Sequence, residues 1–183
     1  GGVIGKIYGE STITNVVNKA AVSALGTKRT YLGGIAGSTR YDNGSNLNVV
    51  INNCRNEGTI TSTEGGANRR GLGGILGGGL SCKLITMHSC SNSGAIVCNS
   101  KTSDLHIGGA IGSSLAALNL KDFVNKAPVT IAADASRTGD CAVGSVLGYI
   151  TGTINAENIV NEAEGVITFG ESAGSNQLYV GGC

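Results

Sequence analysis

Two pairs of carboxylates lie close enough in sequence to be tried as acid and base on a glycosidic bond: Asp134 with Asp140, and Glu162 with Glu164. Such hydrolysis needs one carboxylic acid to protonate the leaving oxygen and one carboxylate acting on the other side of the ring. Asp134 and Asp140 flank a loop-like stretch, 136–139, and no cluster of Asp, Arg and Lys recurs on one face. Both pairs therefore read as solvated surface carboxylates, and the chain is expected not to be an enzyme. The densest set of metal-ligating types is Cys82, His88, Cys90 and Cys98. Structural zinc asks for cysteines roughly two to four residues apart. Here the gaps are eight, and His106 stands alone. No metal or other cofactor is expected. Asn43-Gly44-Ser45 is the one standard glycosylation sequon, in a polar, insertion-like loop over 39–46 that also reads as an ordinary surface turn.

The elements that would position these groups come from an internal repeat. The chain has 183 residues with 31 Gly, one Pro, no Trp, 14% charged residues and 40% apolar residues. That is too apolar for disorder, and glycine this abundant without a three-residue period is not collagen. The net charge of +1 is scattered and aromatics are few, which excludes a phosphate-tracking stripe with stacking platforms, and so nucleic acid. No apolar run approaches the ~18–20 residues of a membrane span. Residue 1 is Gly and no signal peptide is visible, so the chain is expected to be a mature or excised piece of a longer precursor. Six Cys in a low-charge chain rich in Gly, Ser, Thr and Asn lean towards an extracellular or cell-surface setting.

One run recurs: Gly1-Gly2-Val3-Ile4-Gly5, Gly33-Gly34-Ile35-Ala36-Gly37, Gly73-Gly74-Ile75-Leu76-Gly77, Gly108-Gly109-Ala110-Ile111-Gly112 and Gly144-Ser145-Val146-Leu147-Gly148, with a sixth starting at Gly181. The starts lie 32, 40, 35, 36 and 37 residues apart, giving repeats of approximately 1–32, 33–72, 73–107, 108–143 and 144–180, with a partial copy at 181–183. Mid-repeat stands Asn-x-(Gly/Ala)-x-(Val/Ile), beginning at Asn18, Asn56, Asn92 and Asn125; the fifth copy, from Asn161, reads as carrying one extra residue before Val166.

Aligned on that Asn, the chain becomes columns. Two positions before it stand Val16, Cys54, Cys90, Phe123 and Ile159. Five before it stand Ile13, Ile51, Met87, Leu120 and Ala156, and seven before it Ser11, Val49, Ile85, Leu118 and Ile154. The last two columns keep the strand period of two. The step of three to the first column predicts a bend or bulge that keeps all three facing inward. About three short β segments per repeat, in-register copies and small residues at corners predict an all-β parallel β-solenoid of about five rungs. The Asn column is expected to form an amide ladder. The residue after it, Lys19, Glu57, Ser93, Lys126, Glu162, predicts exposed contacts of Lys19 with Glu57 and Lys126 with Glu162. Only 113–122 could pass for helix, and its alignment argues for strand. Cys54 and Cys90 fall in the inward column, Cys98 and Cys141 on apolar-side positions, and Cys183 where Val3, Ile35, Ile75, Ala110 and Val146 fall. Buried thiols are the expected state, with a Cys54–Cys90 bridge as the alternative.

The run Gly-Gly-Ile-x-Gly followed by Asn-Cys-x-Asn-x-Gly-x-Ile, with Arg55 and Ser91 in the variable position, resembles the GLUG-type repeats of large bacterial surface and secreted proteins. The resemblance covers essentially the whole chain and is closest over 73–96; repeats one, four and five lack the Cys and carry Ala for Gly. It implies the stalk or passenger region of an adhesin, or a region flanking a catalytic domain, and no catalytic residues. The expected function is a structural or adhesive extracellular module, meeting its own kind or further repeats at both ends, because no capping element is visible at either end. The alternatives are a β-helix binding surface glycans or another ligand and, behind it, a polysaccharide-degrading enzyme.

Overall fold

A computed structural model describes residues 1–25, 29–39, 47–63, 70–99, 104–132, 139–170 and 177–182. Asp134, Cys183 and the Asn43 sequon lie outside them. Every paired strand is parallel and in register with its copy in the next repeat, so the chain winds as a β-solenoid.

Among the described residues four sheets run along the rod, each crossed by all five repeats; A, C and D have five strands, and B has eight because its strand is split in two in the first three repeats. Sheet A holds Ile4–Ile7, Ala36–Thr39, Leu76–Gly79, Ile111–Ser114 and Leu147–Ile150. Sheet B holds Ser11–Thr14 with Val17–Asn18, Asn48–Asn52 with Arg55–Asn56, Leu84–His88 with Ser91–Asn92, Ala117–Asn125 and Ile154–Asn161. Sheet C holds Val22–Leu25, Ile60–Thr63, Ile96–Asn99, Val129–Ile131 and Ile167–Phe169. Sheet D holds Thr30–Gly33, Arg70–Gly73, Leu105–Gly108, Cys141–Gly144 and Leu178–Gly181. The stretch that could have been helical, 113–122, is strand at both ends.

Two details differ from the sequence reading. Each turn crosses four sheets where three strands were expected, because the Gly-Gly run is not one strand. It is the corner between sheet D, which ends on its first glycine, and sheet A, which starts three residues later. The fifth repeat also carries two extra residues after its Asn: Ile167, not Val166, pairs with Val129.

The interior is divided into two apolar lobes. One, between sheets A and B, packs Ile51, Ile75, Leu76, Ile85, Met87, Leu120 and Phe123. The other, between C and D, packs Ile60, Leu72, Ile96, Leu105, Ile107 and Val129. The Gly-Gly corner explains the division. A Cβ on Gly73 would lie 2.0 Å from the Leu76 carbonyl oxygen, and one on Gly74 2.4 Å from Cγ of Asn92. One on Gly77 would lie 2.5 Å from the Leu32 backbone nitrogen. The first glycine thus closes the turn, the second seats it on the Asn column across the rod, and the third brings sheets A and D back to back. No side chain fits at Gly73, Gly74 or Gly77; the fifth repeat departs from the pattern with Ser145 at the second position.

Candidate functional site

The five sequence-aligned asparagines stand in one line where the two lobes meet. Nδ2 of Asn18 donates to Oδ1 of Asn56 at 2.8 Å, Asn56 to Asn92 at 2.8 Å, Asn92 to Asn125 at 3.2 Å and Asn125 to Asn161 at 2.9 Å. The same amides also donate to the carbonyl oxygens of Ala20, Gly58, Gly94, Ala127 and Gly165. Asn56, Asn92 and Asn125 are fully buried. Each therefore uses both amide hydrogens and its oxygen, as a buried polar group must.

Three residues before each ladder Asn the chain takes a left-handed conformation: Asn15, Asn53, Ser89, Asp122 and Asn158 all have φ between 49° and 60°. These residue types tolerate it, and this is the bend that the step of three requires. The spacing alone signalled the bend but not the residues that make it, for which the Asn, Ser or Asp at that position was the available signal. They make a second, exposed file: Asn53 Nδ2 donates to Asn15 Oδ1 at 2.7 Å, and Asn158 Nδ2 to Asp122 Oδ1 at 2.9 Å. Asp122 Oδ2 lies 3.2 Å from His88 Nε2, and Ser89 Oγ lies 2.8 Å from His88 Nδ1. This Ser–His–Asp row is formed by a serine bonded to its own neighbour, on the outer face of the bend. It links two rungs in water.

Beyond the bend, the chain turns inward again. Cys54, Cys90 and Phe123 are buried, while Val16 and Ile159, on the end rungs, are partly covered and pack against the same lobe. Cys54, Cys82, Cys90, Cys98 and Cys141 are free thiols. The Cys54 amide donates to Cys90 Sγ at 3.4 Å, and Cys90 Sγ lies 3.3 Å from the His88 carbonyl oxygen. The side-chain hydrogen bond with the Cys54 thiol, and then burial, push the Cys90 thiol up, against the Cys54 amide, which favours the thiolate. Burial likewise pushes up Cys82, which sits beside the Thr39 hydroxyl.

The groups tried as catalytic or metal-binding are dispersed. Glu162 meets Lys126 at 3.1 Å, as its column predicted, and Glu164 and Asp140 are exposed. Glu57 pairs with Arg55 at 3.0 Å instead of Lys19, because Arg55 lies two residues away on the same edge. Among the described residues no three His, Cys, Asp or Glu side chains gather as a metal site, and no helix is long and apolar enough to cross a membrane.

A concave surface lies at the mouth between the back-to-back sheets A and D. It encloses about 470 Å3 and is lined by Lys6, Arg29, Tyr31, Ser38, Leu80, Ser81 and Leu115. Small residues create it. The outward column of sheet A runs Lys6, Ser38, Gly78, Ser113, Tyr149, and the Tyr31 ring occupies the space a Cβ on Gly78 would need, 2.5 Å away. Further along, Tyr149 stacks on His106 with ring centroids 4.4 Å apart. Compared with family models, with characterised proteins and with solved structures, the chain matches none.

Proposed function

We propose that this chain is a structural module, a rod whose terminal rungs receive further rungs of the same kind, in the stalk of a larger surface protein or in a head-to-tail filament. One observation carries the reading. Columns sealed inside the rod are open on its last rung: Leu72 and Ile107 are 0% exposed and Val143 2%, whereas Val180 in the same column is 53% exposed. Leu178 and Ile154 stand open likewise, at 48% and 43%, and the last rung also carries an apolar hollow of about 210 Å3 lined in part by Leu147, Ala156 and Ile159. A further in-register rung supplies the missing backbone partners and apolar cover together. At the other end Val3 is open in a column whose Ile35, Ile75, Ala110 and Val146 are buried. The two ends are thus different surfaces, and contact between them does not close, so it propagates. The resemblance to GLUG-type repeats supports the same role, an extracellular or cell-surface location, and the absence of catalysis.

Light scattering and electron microscopy of the purified chain test this. Mass should rise with concentration, rods should lengthen, and Val180→Glu should suppress both. A monomer that stays monomeric at high concentration refutes assembly between copies.

A further inference from the structure

We infer that the groove between sheets A and D binds an acidic oligosaccharide, a sugar chain bearing carboxylate or sulfate groups. Its lining holds two cations, Lys6 and Arg29, and no carboxylate. Arg29 can present a planar fork of donors to a carboxylate or sulfate. Ser38, Ser81 and Tyr31 supply hydroxyls that both donate and accept. Leu80 and Leu115 form apolar walls, and Leu115, although apolar, is 49% exposed. A volume of about 470 Å3 lies within the roughly 300–1,000 Å3 of small-ligand sites, which likewise combine apolar walls with a few placed polar groups.

The direction of the groove selects the ligand further. Its residues come from four successive turns: Lys6 and Tyr31, then Ser38, then Leu80 and Ser81, then Leu115. At ~4.8 Å per rung it extends about 14 Å along the rod, which suits a linear chain laid parallel to the axis. An extended peptide gains affinity by adding a strand to a sheet edge. This groove runs along the rod across strand faces; its inner rungs already pair their backbone groups with neighbours, and only its first-rung strands, Ile4–Ile7 and Thr30–Gly33, stand at a sheet edge, so a peptide lying along the groove adds no strand. Two cations are too few to track a nucleic-acid backbone. The inference does not require end-to-end stacking, since the single chain carries the groove.

Calorimetric titration of the full chain tests it with four probes: a heparin-derived hexasaccharide, an oligogalacturonate, a neutral cello-oligosaccharide and hexaglutamate. At least one acidic sugar should bind, more weakly as salt rises. Replacing Lys6→Gln and Arg29→Gln together should weaken it on the order of tenfold or more, whereas Lys126→Gln, an equal type of charge loss elsewhere on the rod, should not. Both groove positions are exposed, and an unchanged circular dichroism melt verifies folding of the variants. Absence of binding by both acidic sugars at about 1 mM overturns the inference. So does an equal loss with Lys126→Gln, or binding of hexaglutamate or the neutral sugar as tight as that of the acidic ones.

Discussion

Replacing Asn92 by Ala removes the middle of the buried ladder. The side chain accepts from Asn56 at 2.8 Å and donates to Gly94 at 3.1 Å and Asn125 at 3.2 Å. Truncation leaves three polar groups without their partner, at a site that is 0% exposed. A buried group deprived of its partner costs about 1–3 kcal/mol, so the loss should be about 3–6 kcal/mol after partial relaxation, a large share of a typical domain's ~5–15 kcal/mol. Asn18→Ala is the internal control. Asn18 ends the ladder at 4% exposure, and its oxygen accepts from the Ala20 amide at 3.3 Å instead of from another ladder Asn. Water can reach the groups it leaves, and its loss should cost only about 1–2 kcal/mol. Urea unfolding followed by far-ultraviolet circular dichroism measures both, with the midpoint shift read at constant slope. If Asn92→Ala costs less than about 1 kcal/mol, or no more than Asn18→Ala, the ladder is not a main source of cohesion between rungs.

Gly74→Ala should destabilise by several kcal/mol, because the added Cβ lies 2.0 Å from the Gly109 carbonyl oxygen and 2.4 Å from Asn92 Cγ; Gly5→Ala, where nothing lies within 4 Å, should be close to neutral, and thermal melts of the two variants provide the comparison. Cys90→Asp should also cost several kcal/mol by burying an unpaired charge in the column with Cys54 and Phe123; a near-neutral effect in urea would mean that the column faces water. Raising the pH from about 7 to about 10 should weaken the fold through Cys82: unfolded thiols ionise near ~8.5, while burial holds Cys82 protonated; in the Cys54–Cys90 pair the shared hydrogen bond lowers one thiol and raises the other, so the two oppose each other. A raised folded-state pKa gives stability that is complete below the unfolded value and lost as pH rises through the folded one; the Cys82→Ala variant should therefore show a shallower decline of urea midpoint with pH, and an unchanged decline would refute the assignment.

The repeat, the strand class and the inward columns were legible in the sequence because each rung meets only its neighbours. Ile51, Met87 and Leu120 stack directly on one another, so register along the chain becomes register in space, and the ladder follows from the same property. What lies across the rod was not legible. Gly74 and Asn92 belong to different corners of the same turn, and only the folded path brings them together. That meeting divides the core into two lobes and makes the Gly-Gly run a corner instead of a strand. The groove has the same origin. Lys6, Arg29, Tyr31 and Leu115 share no column; sheets A and D gather them by lying back to back. Stacking is a nearest-neighbour relation that periodicity encodes, whereas contact between different corners depends on how the chain turns, which the period of the repeat does not record.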